Sequence, residues 1–258
     1  MTSQVFVGRV GALALFCGVG VPLAGEGAAS AQAAPNVSVS VNGNSVVHTG
    51  SATANSSGAG SIAVAVGKNS VANATNGVNN RALVIGQQSV ADAGSGNNNL
   101  AVIIGRGSQA SAVNGNGNRA FVAGGQSSST ASFGTNNTAS VRGNGSHATA
   151  GCVSSPGVCS ENTVTVRGNN TFAFAAGDEN LPANRNTVKI TGNDSVAEVG
   201  GSGNKVTVNG DSSGGFVALG SNNVLTVSGD NLAGNIPDQS GLVLSCVAPG
   251  PDGCTFYP

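Results

Sequence analysis

The stretch NNLAVIIGRGSQASAVNGNGN, residues 98–118, decides the fold. It runs from a solid apolar segment through Gly105 into a Ser/Ala segment and closes on an Asn/Gly-rich turn. The cycle recurs before it as NRALVIGQQSVADAGSGN from residue 80, and after it as NTVTVRGNNTFAFAAG, NTVKITGNDSVAEVGGSG and NKVTVNGDSSGGFVALGSN from residues 162, 186 and 204. Taking the glycine that closes each apolar segment as a marker gives Gly43, Gly67, Gly86, Gly105, Gly124, Gly143, Gly168, Gly192, Gly210 and Gly229. Their separations are 24, 19, 19, 19, 19, 25, 24, 18 and 19, a unit of about nineteen residues carrying three insertions of five or six.

A fixed period of this size without helical spacing points to a repeat architecture in which one unit cannot bury its apolar face alone. The first segment alternates with the period of two that marks a strand buried on one side. Ala82 and Val84, Ala101 and Ile103, Val164 and Val166, Val188 and Ile190, Val206 and Val208, and Leu225 and Val227 take its inward places, as do Val39 and Val41 in the first unit. The second segment places Ala91 and Ala93, Ala110 and Ala112, Ala148 and Ala150, Ala173 and Ala175, and Ala197 and Val199 inward. Valine and isoleucine on one wall facing alanine on the other make a narrow core. The expected fold is all-β: a single-stranded parallel β-solenoid of about ten coils of about nineteen residues, with a short C-terminal cap. Asn80, Asn99, Asn118, Asn137, Asn162, Asn186, Asn204 and Asn223 recur at one corner, where stacked amides form a ladder.

Three segments are expected: a signal peptide over 1–33, the repeat domain over 34–235, and a disulfide-stapled cap over 236–258. The first has Arg9, an apolar run from Val10 to Leu23, and the small-x-small site Ala31-Gln32-Ala33. That run is too short for a comfortable bilayer span, so the mature chain is expected to be secreted or displayed at a cell surface with no transmembrane anchor. Cleavage removes Cys17 and leaves Cys152 near Cys159 and Cys246 near Cys254, each pair around Pro and Gly. Local disulfides are expected in an oxidising compartment, although four cysteines permit three connectivities.

Charged residues are 8% of the chain and the net charge is −1, so neither nucleic acid nor an anionic membrane is an expected partner. The outward places of the apolar strands divide into two groups. Later coils carry Ser140 and Arg142, Thr165 and Arg167, Lys189 and Thr191, Thr207 and Asn209. Coils two to five instead carry Val64 and Val66, Leu83 and Ile85, Val102 and Ile104, and Phe121. A strand apolar on both faces is normally covered on both, and a bare patch marks association. Two readings fit equally: another copy or a partner molecule meets this wall, or the segment before the repeats or an insertion loop folds over it.

The units SIAVAVGKNSVANA, RALVIGQQSVADA and LAVIIGRGSQASA resemble the head repeats of trimeric autotransporter adhesins over about 61–150. The matching residues are Val66-Gly67 with Ser70, Ala72 and Ala74, Ile85-Gly86 with Ser89, Ala91 and Ala93, and Ile104-Gly105 with Ser108, Ala110 and Ala112. The resemblance implies a parallel β-roll that oligomerises through an apolar wall and presents a surface to host or cell-envelope protein or glycan.

Titratable groups do not converge. His48 and His147 lie far apart without an acid to orient either, and Asp92, Asp194 and Glu198 fall in different coils. Asp211 and Asp230 follow the marker glycine in adjacent coils and read as turn residues, and GGSGNKVTV from Gly200 lacks the recurring carboxylates of a calcium roll. No cofactor and no catalysis are expected. The reading is a structural or adhesive surface solenoid, with a carbohydrate-active enzyme or lectin second and an ice- or surface-binding solenoid, suggested by Thr165, Thr207 and Thr226, third.

Overall fold

The computed structural model describes residues 35–152, 159–177, 183–217 and 220–247, together with the backbone of Cys254–Tyr257. The expected signal peptide lies outside these residues. The chain enters through β1 (Val37–Val41) and β2 (Asn44–Thr49). It continues as β3 (Thr53–Ser56), β4 (Ile62–Val66), β5 (Val71–Thr75), β6 (Arg81–Ile85), β7 (Val90–Gly94), β8 (Leu100–Ile104), β9 (Gln109–Asn116), β10 (Arg119–Ala123), β11 (Ser128–Thr135) and β12 (Thr138–Arg142). Then come β13 (His147–Cys152), β14 (Thr163–Arg167), β15 (Phe172–Gly177), β16 (Thr187–Thr191), β17 (Val196–Val199), β18 (Lys205–Asn209), β19 (Gly214–Val217), β20 (Val224–Ser228), β21 (Ala233–Ile236), β22 (Val243–Val247) and β23 (Cys254–Tyr257). Among the described residues there is no helix.

The strands form two sheets. Even-numbered strands from β4 to β22 stack in parallel as the first wall, and odd-numbered strands from β3 to β21 as the second, which is the expected β-solenoid of about ten coils. Register is strict: Ala82 lies on Ala101 and Ala101 on Ala120, and Val84 on Ile103 and Ile103 on Val122. These inward side chains are fully buried against Ala91, Ala93, Ala110 and Ala112 of the other wall. Each buried Val or Ile contributes roughly 1.5–3 kcal/mol, and a thin core built this way holds only as a continuous stack. Side-chain size is traded across the core. Where the first wall carries Leu225, the second carries Gly234, whose added Cβ would stand 2.6 Å from a Leu225 methyl.

The first unit departs from expectation. β1 runs antiparallel to β4, pairing Val39 with Val64, so Val39 and Val41 face outward and Ser38 and Ser40 are buried. The reason is a hairpin: Asn42 and Gly43, both at positive φ (52° and 86°), turn β1 back into β2. Gly43 is therefore a hairpin residue and not a coil marker. Its consequence is an end cap. The Ser38 and Ser40 hydroxyls accept the N–H groups of Ala54 and Ser56 at 3.0 and 3.1 Å, covering donors of β3 that no further coil can pair. At the other end the parallel stack passes the boundary expected near residue 236, because β22 pairs in parallel with β20, and only β23 reverses direction.

Two buried ladders hold the corners. Each Asn Oδ1 accepts the backbone N–H of the next Asn, as in Asn99 to Asn80, Asn118 to Asn99 and Asn137 to Asn118, all at 3.0 Å. Each Nδ2 donates to a carbonyl of the following coil, as in Asn80 to Gly96 and Asn99 to Gly115, both at 2.8 Å. The expected amide-to-amide stacking is thus mostly replaced by amide-to-backbone bonds, and Asn162 to Asn137 (3.1 Å) is the exception. At the opposite corner Ser89, Ser108, Ser127 and Ser146 each accept the N–H of the next coil and donate to its glycine carbonyl. The disulfide Cys152–Cys159 fits this plan, since the Cys159 carbonyl takes the corner glycine's place and accepts from Asn137 Nδ2 at 2.6 Å. Cys246 is also disulfide-bonded, and the register sets Cys254 opposite it.

Candidate association surface

The outer face of the first wall has three columns of side chains running up the stack. The middle column reads Val47, Val39, Val64, Leu83, Val102, Phe121, Ser140, Thr165, Lys189, Thr207 and Thr226. One flank begins Val37, Val66, Ile85, Ile104 and Ala123, then turns to Arg142 and Arg167. The expected patch of Val64, Val66, Leu83, Ile85, Val102, Ile104 and Phe121 is therefore brought together on one face of the first wall. Ile85 and Ile104 stay 41% and 49% exposed, whereas Val64, flanked by Val39 and Leu83, is only 8% exposed.

Sequence reasoning missed part of this face. The segment before residue 34, one of the expected covers, lies outside the described residues; within them β1 and β2 extend the wall edgewise and add Val37, Val39, Val41 and Val47 to its outer surface. The Asn42-Gly43 dipeptide between two alternating runs was the signal that could have placed them. Ile62 and Leu100 lie on the other flank, where they alternate with the exposed Arg81 and Arg119. The border of the patch is sharp, with the Arg142 guanidinium 6.0 Å from the Phe121 ring centre, where the apolar half meets the polar one.

The groups suited to chemistry are apart. His48 lies on β2 and its Nδ1 is 3.4 Å from Ser38 Oγ, while His147 lies on β13 of the other wall. Asp92 accepts from Asn73 Nδ2 at 2.7 Å, continuing an outward row from Asn55. Asp211 and Asp230 end an exposed turn ladder: Asn193 N–H donates to Asp211 at 2.6 Å and Asp211 N–H to Asp230 at 2.8 Å. Their carboxylates are thereby engaged as turn acceptors. Among the described residues no three His, Cys, Asp or Glu side chains gather closely enough to hold a metal ion. A shallow hollow at the insertion corner, lined by Ser160, Glu161, Asn184 and Arg185, holds one carboxylate.

Among the described residues, His147 is the group whose titration is displaced. It sits half-buried beside Phe172 and Phe174, ring centres 6.4 and 5.5 Å away, with Nε2 2.9 Å from Thr149 Oγ1. Burial holds its pKa below the usual imidazole value of 6.5. The unfolded chain then takes up the proton first, so stability is expected to fall as pH drops below about 6.5. Thermal melting across that range checks this: His147→Phe should flatten the fall, and equal slopes in the two proteins would place the titration elsewhere.

Among the described residues no helix is long and apolar enough to cross a membrane. No known protein family, curated protein or solved structure matches this chain.

Proposed function

We propose that this chain is an exported β-solenoid with a structural or adhesive role and no catalysis, and that it works through the outer face of its first wall. One observation carries the reading: the middle outward column of six consecutive strands, β2, β1, β4, β6, β8 and β10, and the adjoining column from Val37 to Ala123 present an apolar surface that no described segment covers. At about 4.8 Å per strand the surface extends roughly 25 Å along the stack and two side chains across, with Arg81 and Arg119 interrupting the third column, the scale at which exposed apolar area marks association. The bonded Cys152, Cys159 and Cys246 support an oxidising compartment. The likeness of residues 61–150 to trimeric autotransporter heads supports the same use of such a wall.

The test is oligomeric state. Light scattering of residues 34–258 is expected to give oligomers, and Leu83→Asp or Val102→Asp to give monomers with an unchanged circular-dichroism spectrum. A wild type that stays monomeric at high concentration, and that neither substitution alters, would remove association from the reading.

A further inference from the structure

The chain is nearly neutral, with ten Lys and Arg against eleven Asp and Glu, yet the fold sorts these charges by surface. Along β4 to β22 the outward places of the first wall hold Arg81, Arg119, Arg142, Arg167, Lys189 and Lys205 and not one acid. All six are exposed. The outward places of the second wall hold the reverse, Asp92 and Glu198 with no Lys or Arg. Overall charge conceals this separation.

The polar half of the face arranges its cations in order. Arg142 pairs in register with Arg167, the next strand carries Lys189 one column over, and the next carries Lys205 a further column over. Four consecutive rungs thus contribute one cation each, along a diagonal whose neighbours stand about 5–8 Å apart. Ser140, Thr165, Thr191, Thr207 and Asn209 lie beside this line, supplying hydroxyl and amide groups.

We propose that this diagonal is a docking track for an acidic polysaccharide of the polyuronate type, a linear chain with one carboxylate per sugar ring and hydroxyls between. The proposal deepens the adhesive reading and rests on it. Charge complementarity selects the occupant: a cation-only strip on a flat sheet fits an extended polyanion, and the flanking hydroxyls suit sugar hydroxyls. A second copy does not fit this half, since packing it on itself sets cations against cations. A nucleic acid fits less well. The outward places of β12 to β22 on this wall carry no aromatic side chain on which a base could stack, and a flat wall has no element to enter a groove.

The experiment measures binding of the full mature chain to polygalacturonate at about 50 mM and at about 300 mM salt, where screening separates electrostatic from other binding. Fully methyl-esterified polygalacturonate, duplex DNA and phosphatidylglycerol vesicles serve as competitors. Expected results are binding to polygalacturonate at low salt, none to the ester, and a loss of roughly tenfold or more in the R167A/K189A/K205A variant, with the wild-type melting temperature kept. Leu83→Asp should abolish association and leave this binding in place, so failure of the track and failure of the apolar wall read out separately. Equal binding to the ester, tighter binding to DNA or vesicles, no binding at low salt, or an unaffected triple variant would each overturn the proposal.

Discussion

Gly124→Ala is expected to split the stack, lowering stability by at least about 4 kcal/mol or dividing thermal unfolding into two transitions. Gly124 closes β10 at a φ of +150°, a region that L side chains rarely adopt, and its N–H donates to Ile104 O at 3.0 Å. A Cβ added there would stand 1.8 Å from the Gly143 carbonyl oxygen and 2.7 Å from its carbon. Both are backbone atoms of the next coil, and Gly143 is itself tied back to Ala123 O at 3.0 Å, so neither can swing aside as a flexible side chain would. Relief must come from parting the two coils. Coils couple only to their neighbours, and a parted interface in the middle separates the stack into halves that melt independently. The adjacent glycine is the control. At Gly125 an added Cβ would meet only Arg106 O and Asn144 Oδ1, each at 3.5 Å, an ordinary contact. Urea unfolding followed by circular dichroism should leave Gly125→Ala within about 1 kcal/mol of wild type. Equal losses in the two variants would show that glycine content, and not close approach between coils, is what matters here.

That contrast shows why the repeat was readable. A glycine forced by the neighbouring coil recurs at every coil, so Gly67, Gly86, Gly105, Gly124 and Gly143 carry the period in plain view. The inward Asn corner is visible for the same reason, because each amide needs an equivalent one above and below. What the sequence hid is what happens once. The hairpin at Asn42-Gly43 mimics a coil in composition, and only a reversal of strand direction, which hydropathy does not encode, moves Val39 and Val41 to the outer face. The run of β22 past residue 236 was masked by its proline- and cysteine-containing surroundings. The cationic strip was legible only in part: Arg142, Arg167 and Lys189 stand at the second and third outward places of their strands, whereas Lys205 opens β18 at the first, a place that the alternation of the apolar runs does not single out. Charges at single positions become a surface only after register aligns them.

Asn118→Ala is the second substitution with a large expected effect. Asn118 is fully buried, and its side chain serves three backbone groups: Oδ1 accepts from Asn137 N–H at 3.0 Å, and Nδ2 donates to Gly134 O at 3.1 Å and Val113 O at 3.3 Å. Alanine removes all three bonds and leaves a buried N–H and two carbonyls without these partners, at roughly 1–3 kcal/mol each. A loss of about 3 kcal/mol or more is therefore expected in denaturant unfolding. Asn144→Ala provides the comparison, for Asn144 belongs to the exposed turn ladder, where its Oδ1 accepts from Gly125 N–H at 2.7 Å and water can replace it. That change should cost no more than about 1 kcal/mol. Asn118→Asp separates hydrogen bonding from mere filling of the corner. The carboxylate retains the acceptor for Asn137 but turns two donor bonds into oxygen facing oxygen, and burial raises its pKa above the unfolded value of about 3.9. Folding of that variant takes up a proton, so its stability is expected to rise as pH falls through the raised pKa, over a range in which the wild-type corner does not titrate. Should Asn118→Ala and Asn144→Ala lose equal stability, or Asn118→Asp show the wild-type dependence on pH across that range, the buried ladder would be a consequence of the stack and not one of the forces that hold it.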